Sequence, residues 1–322
     1  MRKKDMRLLA LFVTLAATAL LTGMAHTVRA TPPDSLPTVT IFAPGAIAGT
    51  ANDGAAAFTP DGATVVFMRD TGDGSTLMES QRERGRWSAP RAAPFSGHWH
   101  DLDPAMAPDG SFLLFVSNRP ATPGDPPIDA VRAGKRRAGQ GMNLWRVNRQ
   151  GSGWSEPVRL SDTVNLCSLV SSPSIAADGS IYFIGCAGPN GDFKLLQSPY
   201  RDGHYATPHV VALGEADATV RDPAIAPDGS FMVVSIKHAA QEVYRLAIAF
   251  RTSDGWTAPR DLGDTVNSGE SMGAQLGPDH RTLYFYSDRR LPASDPNAAA
   301  TWNNGAGHIW QVSLAPWLDA RG

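Results

Sequence analysis

Asp103 to Arg119 reads DPAMAPDGSFLLFVSNR, an Asp-Gly pair held between two apolar runs. Apolar, tight-turn, apolar is the signature of a β-hairpin, because Asp and Gly supply the backbone conformations that a two-strand reversal needs. The same phrase returns along the chain. It reads TPDGATVVF at Thr59 to Phe67, AADGSIYF at Ala176 to Phe183, APDGSFMVV at Ala226 to Val234 and GPDHRTLYF at Gly277 to Phe285. The turn aspartates are Asp61, Asp109, Asp178, Asp228 and Asp279, separated by 48, 69, 50 and 51 residues. The period is near 50, with one longer step; in the fifth copy His280 stands where the others carry Gly.

Each copy carries more than its hairpin. A third apolar strand follows at Leu77-Met78, Asn143 to Val147, Lys194 to Leu196, Val243 to Leu246 and His308 to Val312. Four copies then continue with an aromatic-small-x-Pro phrase: WSAP (Trp87 to Pro90), WSEP (Trp154 to Pro157), YATP (Tyr205 to Pro208) and WTAP (Trp256 to Pro259). A fourth strand is expected after each. Four antiparallel strands at a fixed period near 50 residues describe the blade of a β-propeller, whose two faces can be buried only by neighbouring blades. The expected fold is therefore all-β, with repeats beginning near residues 52, 100, 169, 219 and 270. The fifth copy lacks its fourth strand, and Thr38 to Ile47 (TVTIFAPGAI) has no hairpin of its own. Pairing the two closes the ring and removes the free sheet edges. A ring of six blades would need one degenerate copy; the 69-residue step is too short for a further blade, so five is the expectation.

The phrases at Asp103 to Arg119 and at Asp222 to Ser235 (DPAIAPDGSFMVVS) resemble the WD40-like repeat of TolB-type propellers. So do YFYSDRR at Tyr284 to Arg290 and WSEPVRLSDTVN at Trp154 to Asn165. The resemblance runs over Thr38 to Trp317 and implies the propeller fold; the repeat occurs in periplasmic scaffolds, in outer-membrane accessory proteins and beside peptidase domains. TolB carries an α/β domain ahead of its propeller. Here the first turn arrives at Pro60, so no such domain is expected.

Charge and composition narrow the function classes. The chain has 29 Lys+Arg and 31 Asp+Glu over 322 residues. Residues 1–30 hold five of the bases and one acid, so residues 31–322 carry 24 and 30, a net charge of −6. A nucleic-acid partner would need a basic surface or stripe, and none is predicted. Met1 to Arg7 is basic, Leu8 to Leu21 is apolar and uncharged, and small residues follow, with Ala25 or Ala30 at cleavage positions. That order is a secretory signal peptide. The apolar run falls short of the ~20 residues a spanning helix needs, and no later stretch could cross a bilayer. The expectation is a single propeller domain, 31–322, exported to the periplasm or beyond and monomeric.

In a propeller the innermost strand of each blade lines the axis. Loops after the second strand lie on the rim opposite the Asp-Gly turns. Both large insertions, Arg119 to Met142 and Arg289 to Gly307, follow a second strand and share that rim. Long loops on a rigid scaffold are where binding concentrates. Polar residues leading into the inner strands should reach the same face. These are Asn52 and Asp53, then His98, His100, Asp101 and Asp103, then Ser171 and Ser172, then Arg221 and Asp222, and Glu270. Arg119, Lys135, Arg136, Arg137, Arg289 and Trp302 complete the expected binding rim. Carboxylates around an axial funnel could coordinate Ca²⁺ or supply the acid and base of a glycosidase. Asp103 and Asp222, each before a proline, could equally accept backbone N–H groups and fix the loops. His98 to Asp101 is the densest chemical grouping, but no second histidine cluster accompanies it.

Gly269 to Gly273 (GESMG) imitates a nucleophile elbow but precedes a propeller strand, and no P-loop, His-Glu-x-x-His or Cys-x-x-Cys occurs. No catalytic or metal residue is assigned. Cys167 and Cys186 flank the hairpin of the third blade; a disulfide there would close a loop of about 20 residues and stabilise by ~3 kcal/mol, the alternative being two buried thiols. The expected function is non-enzymatic capture of a cell-envelope protein or glycan through the rim bearing 119–142 and 289–307. A five-bladed carbohydrate-active enzyme is the alternative.

Overall fold

The structure is a computed structural model and describes residues 37–321 except 133, 188–191, 214–217, 293–294 and 296–301. The expected export signal, residues 1–30, lies outside the described residues, as does much of the 289–307 insertion.

Five antiparallel sheets form the five blades of a propeller. The first holds Asp53–Phe58, Thr64–Asp70, Ser75–Glu83 and Arg91–Ala92 from axis to edge. The second holds Asp101–Met106, Phe112–Ser117, Asn143–Gln150 and Val158–Arg159. In the third the order is Ser171–Ile175, Ile181–Ala187, Asp192–Ser198 and His209–Val210. The fourth has Thr219–Ile225, Phe231–Lys237, Arg245–Thr252 and Arg260–Asp261. The fifth has Ser271–Leu276, Thr282–Ser287 and His308–Ser313, and its outer strand is Thr40–Ile41 from the other end of the chain. Thr40 faces Gln311 and Ile41 faces Trp310. The closing strand is shorter than the expected Thr38 to Ile47, because Ala43 adopts φ 45° and Gly45 φ 77°, turning the chain away from the sheet.

The turn chemistry is uniform. Each turn aspartate accepts the N–H two residues on, at 2.9 Å for Asp61, Asp109, Asp178 and Asp228 and 3.0 Å for Asp279. The next residue takes a positive φ, from 66° at Gly62 to 83° at Gly179, and His280 accepts 53° in the fifth copy. His is among the residues that tolerate this region, so the turn survives without glycine. The aromatic-small-x-Pro phrase closes a second, shorter hairpin, with Trp87 opposite Arg82 and Trp154 opposite Arg149. In three of the four phrases the small residue is a hydroxyl for a reason: Ser88, Ser155 and Thr257 accept the N–H of Gln81, Asn148 and Phe250 at 3.1, 2.9 and 3.0 Å, while the third blade has Ala206 there.

Thr282–Ser287 of the fifth blade alternates, whereas in the first four blades the second strand holds a continuous run of buried residues, complete in Phe112–Ser117. That explains continuous apolar runs where a one-sided sheet would alternate. The core is divided into clusters between successive blades, Phe115 and Trp145 meeting Val66 and Leu77 of the first blade, and Trp310 and Phe285 meeting Val233 and Ile248 of the fourth. Burying one such aromatic stabilises by roughly 2–3 kcal/mol.

Candidate functional site

Two features occupy the region where polar residues were expected: a belt around the axis and an ordered hairpin on the rim.

The belt arises from one irregularity repeated in every blade. Each inner strand slips register against its second strand, between Gly54 and Ala57, Leu102 and Ala105, Ser171 and Ser174, Arg221 and Ala224, and Met272 and Gln275. The bulged residues are Ala55, Asp103, Ser172, Asp222 and Gly273, with φ of 49°, 49°, 52°, 48° and 64°. A bulge re-aims the side chain it carries, and here it turns these positions toward the next blade. Asp103 Oδ2 accepts the Ser172 N–H at 2.9 Å and lies 3.3 Å from its hydroxyl. The Ser172 hydroxyl donates to Asp222 Oδ1 at 2.7 Å, and Asp222 Oδ2 accepts the Gly273 N–H at 3.1 Å. Blades two to five are thus stitched at the axis. Enclosure by the inner strands, then the nearby Asp222 charge, pushes the Asp103 carboxyl up to about 6, against the opposing pull of Ser172 and Arg221. On the Asp-Gly-turn side the axial recess holds only about 70 Å³ between Pro60, Pro108, Pro227 and Pro278. That is room for about two water molecules.

Several expected rim residues are elsewhere. Asp53 and Asp101 keep 1 % and 0 % of their surface. Asp53 Oδ1 is held by Arg69 at 2.7 Å and Asp101 Oδ1 by Arg119 at 2.8 Å. Burial raises the Asp53 carboxyl above its ordinary range, which Arg69 partly offsets. Arg119 is buried over the rings of Phe115 and Trp145, and it also donates to the Phe95 carbonyl at 3.0 Å. Arg289 repeats the arrangement over Phe285 and Trp310, donating to the carbonyls of Thr265 and Val266. Both arginines clamp a blade to the segment arriving from the one before, so neither presents its charge to a ligand. Trp302 is likewise buried, edge-on to His308 and Trp310. The envisaged ring of axial carboxylates therefore reduces to Asp103 and Asp222.

His98 and His100 are exposed, and the His100 ring lies against Gly74, where an added Cβ would approach it to 2.6 Å. Glu270 is half-buried, its N–H donated to Asp288 Oδ1 at 2.9 Å. Among the described residues no group of three or more His, Cys, Asp or Glu converges so as to hold a metal ion.

The rim insertion is built. Ala130–Arg132 pairs with Lys135–Arg137 as a small hairpin, Arg136 opposite Val131. It hangs on the segment leading to the third blade: Val131 N–H donates to Ser168 Oγ at 2.8 Å and Met142 N–H to the Ser168 carbonyl at 2.7 Å. Asp129 accepts from Arg136 and from the Gly139 N–H. The segment itself is tied down by the Cys167–Cys186 disulfide, with Cα atoms 6.2 Å apart. Arg132, Lys135, Arg136 and Arg137 are all exposed. Arg132 lies 4.8 Å over the Phe193 ring of the third blade. Beside it a groove of about 670 Å³ opens between the third and fourth blades and runs to Arg221.

Sequence reasoning missed the clamping role of Asn165 and Asn267. Each side chain bonds both backbone groups of a third-strand leucine, with Leu144 N–H to Asn165 Oδ1 and Leu246 N–H to Asn267 Oδ1 both at 2.7 Å. The shared Asp-Thr-Val-Asn phrase at 162–165 and 264–267 was the available signal.

No protein-family model and no curated protein sequence matches the chain. Among solved structures it is similar to TolB from Acinetobacter baumannii, at 10 % identity and TM-score 0.48 over 82 % of this chain and 54 % of that one. The chain thus spans about half the length of that TolB. A TolB-type protein from Agrobacterium tumefaciens is similar at 14 % identity and TM-score 0.44, over 68 % of each chain. A gluconolactonase from Xanthomonas campestris is similar at 12 % and 0.42, over 86 % of this chain and 89 % of that one. At such identities and scores the blade count rests on the strand pairing of the chain itself.

Proposed function

We propose that this chain is a non-enzymatic binding module of the cell envelope, capturing a protein or glycan partner through the rim that carries the 119–142 insertion. One observation carries the reading. The insertion is a folded hairpin, anchored by backbone bonds to Ser168 and presenting exposed cations beside an open groove. A rigid, pre-ordered loop binds without the entropic cost of ordering itself. Residues 1–30, read as an export signal, support an envelope location, and 289–307 belongs to the same rim by its place after a second strand.

The test is capture from solubilised envelopes by the exported chain and by a variant in which residues 120–141 are replaced with a short Gly-Ser link. Loss of capture with an unchanged thermal melt is expected. Capture that survives the replacement overturns the reading.

A glycosidase reading keeps one supporting observation, the Asp103 carboxyl raised to about 6 beside Asp222. Against it, both carboxylates already accept N–H groups from the next blade. Polysaccharide hydrolysis abolished by Asp222→Asn would favour the enzyme; no hydrolysis across a broad glycan panel would remove it.

A further inference from the structure

The groove between the third and fourth blades has a composition of its own. Its floor is apolar, made by Ile184, Leu195, Val211 and Leu213. Its walls carry two half-buried aromatic rings, Phe193 and Tyr244. Arg132, Lys194 and Arg221 line it, against the single carboxylate Asp192 among the described residues. Lys237 adds a fourth cation 5.1 Å over the Tyr244 ring. The patch is cationic although residues 31–322 as a whole carry a net charge of −6.

The geometry points to this groove as a binding site for an acidic glycan, a chain of uronate sugars whose carboxylates meet Arg132, Lys194 and Arg221 while sugar faces pack on Phe193 and Tyr244. The inference rests on the reading of the hairpin rim as the binding face and adds the class of ligand.

Three physical points argue for a sugar acid. Guanidinium groups recognise carboxylates by paired N–H donors, and two of the three lining cations are arginines. Arg132 is held in place by its cation–π contact with Phe193, so its charge is set at the groove edge before any ligand arrives. Aromatic walls suit the apolar faces of pyranose rings, whereas an acidic peptide would meet the cations through flexible side chains and leave the rings uncovered.

The experiment uses the full exported chain with alginate oligosaccharides as probe, titrated by calorimetry and checked by mobility in gels cast with alginate. Maltohexaose is the neutral comparison and poly-glutamate the peptide one. Alginate is expected to bind, more weakly as salt rises, and maltohexaose not to bind. The Arg132→Glu/Lys194→Glu pair should weaken alginate by at least roughly tenfold, since charge reversal juxtaposes like charges. Arg82→Glu/Arg86→Glu, two exposed charges on the first blade and away from the groove lining, should change affinity by less than about twofold. Equal losses from both pairs would mean diffuse attraction and overturn the site. Poly-glutamate binding as tightly as alginate would overturn the sugar assignment. Absent alginate binding together with hairpin-dependent capture of an envelope protein would sink this inference and leave the broader reading standing. Capture indifferent to the hairpin would sink the broader reading instead.

Discussion

The Ser172 hydroxyl, on the innermost strand of the third blade, donates to Asp222 of the fourth at 2.7 Å. Neither residue is near the other in sequence, yet their bulges turn both toward the axis. Asp222 also takes the Gly273 N–H at 3.1 Å. Asp222→Ala removes the acceptor from both, leaving the Ser172 hydroxyl only Asp103 Oδ2 at 3.3 Å and the Gly273 N–H only Ser235 Oγ at 3.2 Å, and places alanine at φ 48°. The expected loss is about 2 kcal/mol, read as a lower urea midpoint, with Asp222→Asn falling between variant and parent. An unchanged midpoint in the alanine variant would refute the stitching role.

The same belt makes stability depend on pH. The Asp103 carboxyl titrates near 3.8 when unfolded and is raised to about 6 in the fold. A raised carboxyl binds its proton more tightly in the folded state. Its contribution is complete below about pH 4 and is lost as pH rises through about 6. Asp103→Asn should therefore gain on the parent between pH 4 and 7 and keep a constant offset above that range. Denaturant titrations at a series of pH values check it; parallel curves would contradict the assignment.

Ala55 is the one bulge residue without a polar side chain or a glycine backbone, at φ 49°. Left-handed backbone costs alanine ~1–2 kcal/mol. Ala55→Gly should stabilise by about 0.5 kcal/mol after the entropy of glycine is set against that relief. A lower melting temperature would show that the Ala55 methyl contributes more packing than its strain costs.

Gly141 sits where a Cβ would approach Ile128 Cγ2 to 2.5 Å and the Asp129 carbonyl oxygen to 2.6 Å. Gly141→Val should push the hairpin off its anchor while the blades remain folded. Partner capture is expected to disappear with the thermal transition shifted by only a few degrees, on the order of 1–2 kcal/mol. Intact capture by this variant would detach binding from hairpin position.

The disulfide offers an independent handle on the same loop. Replacing Cys167 and Cys186 by serine should cost ~3 kcal/mol on the chain-entropy account. Amide exchange should quicken at Val131 and Met142, whose N–H groups end on Ser168. Exchange that stays slow at both would separate the bridge from the hairpin.

The blades were legible because a turn and its flanking strands are local: Asp109-Gly110 specifies a hairpin wherever it stands. The site was less so, and Asp101 and Asp103 show why. Two residues apart on a regular strand, they should share a face. The slip between Leu102 and Ala105 breaks that alternation, sending Asp101 inward to Arg119 and Asp103 to Ser172. No local signal in Leu102-Asp103-Pro104 announces a bulge; only the recurrence of its register in every blade does. The groove was invisible for a different reason. Arg132 and Phe193 lie 61 residues apart and meet only because the insertion leans across a blade boundary.

Thr40–Ile41 lies beside Trp310 and Gln311, so the segment synthesised near the start finds its partner only when the last blade exists. Until then the fifth sheet has a bare edge, and the ring is an open arc that can still be threaded or extended. The fold therefore has a built-in completion check. A chain cut short between Asp261 and His308–Ser313 keeps its first four blades and loses its closure. Such an arc exposes strand edges at both ends, which marks unfinished chains for aggregation or proteolysis and distinguishes them from finished ones.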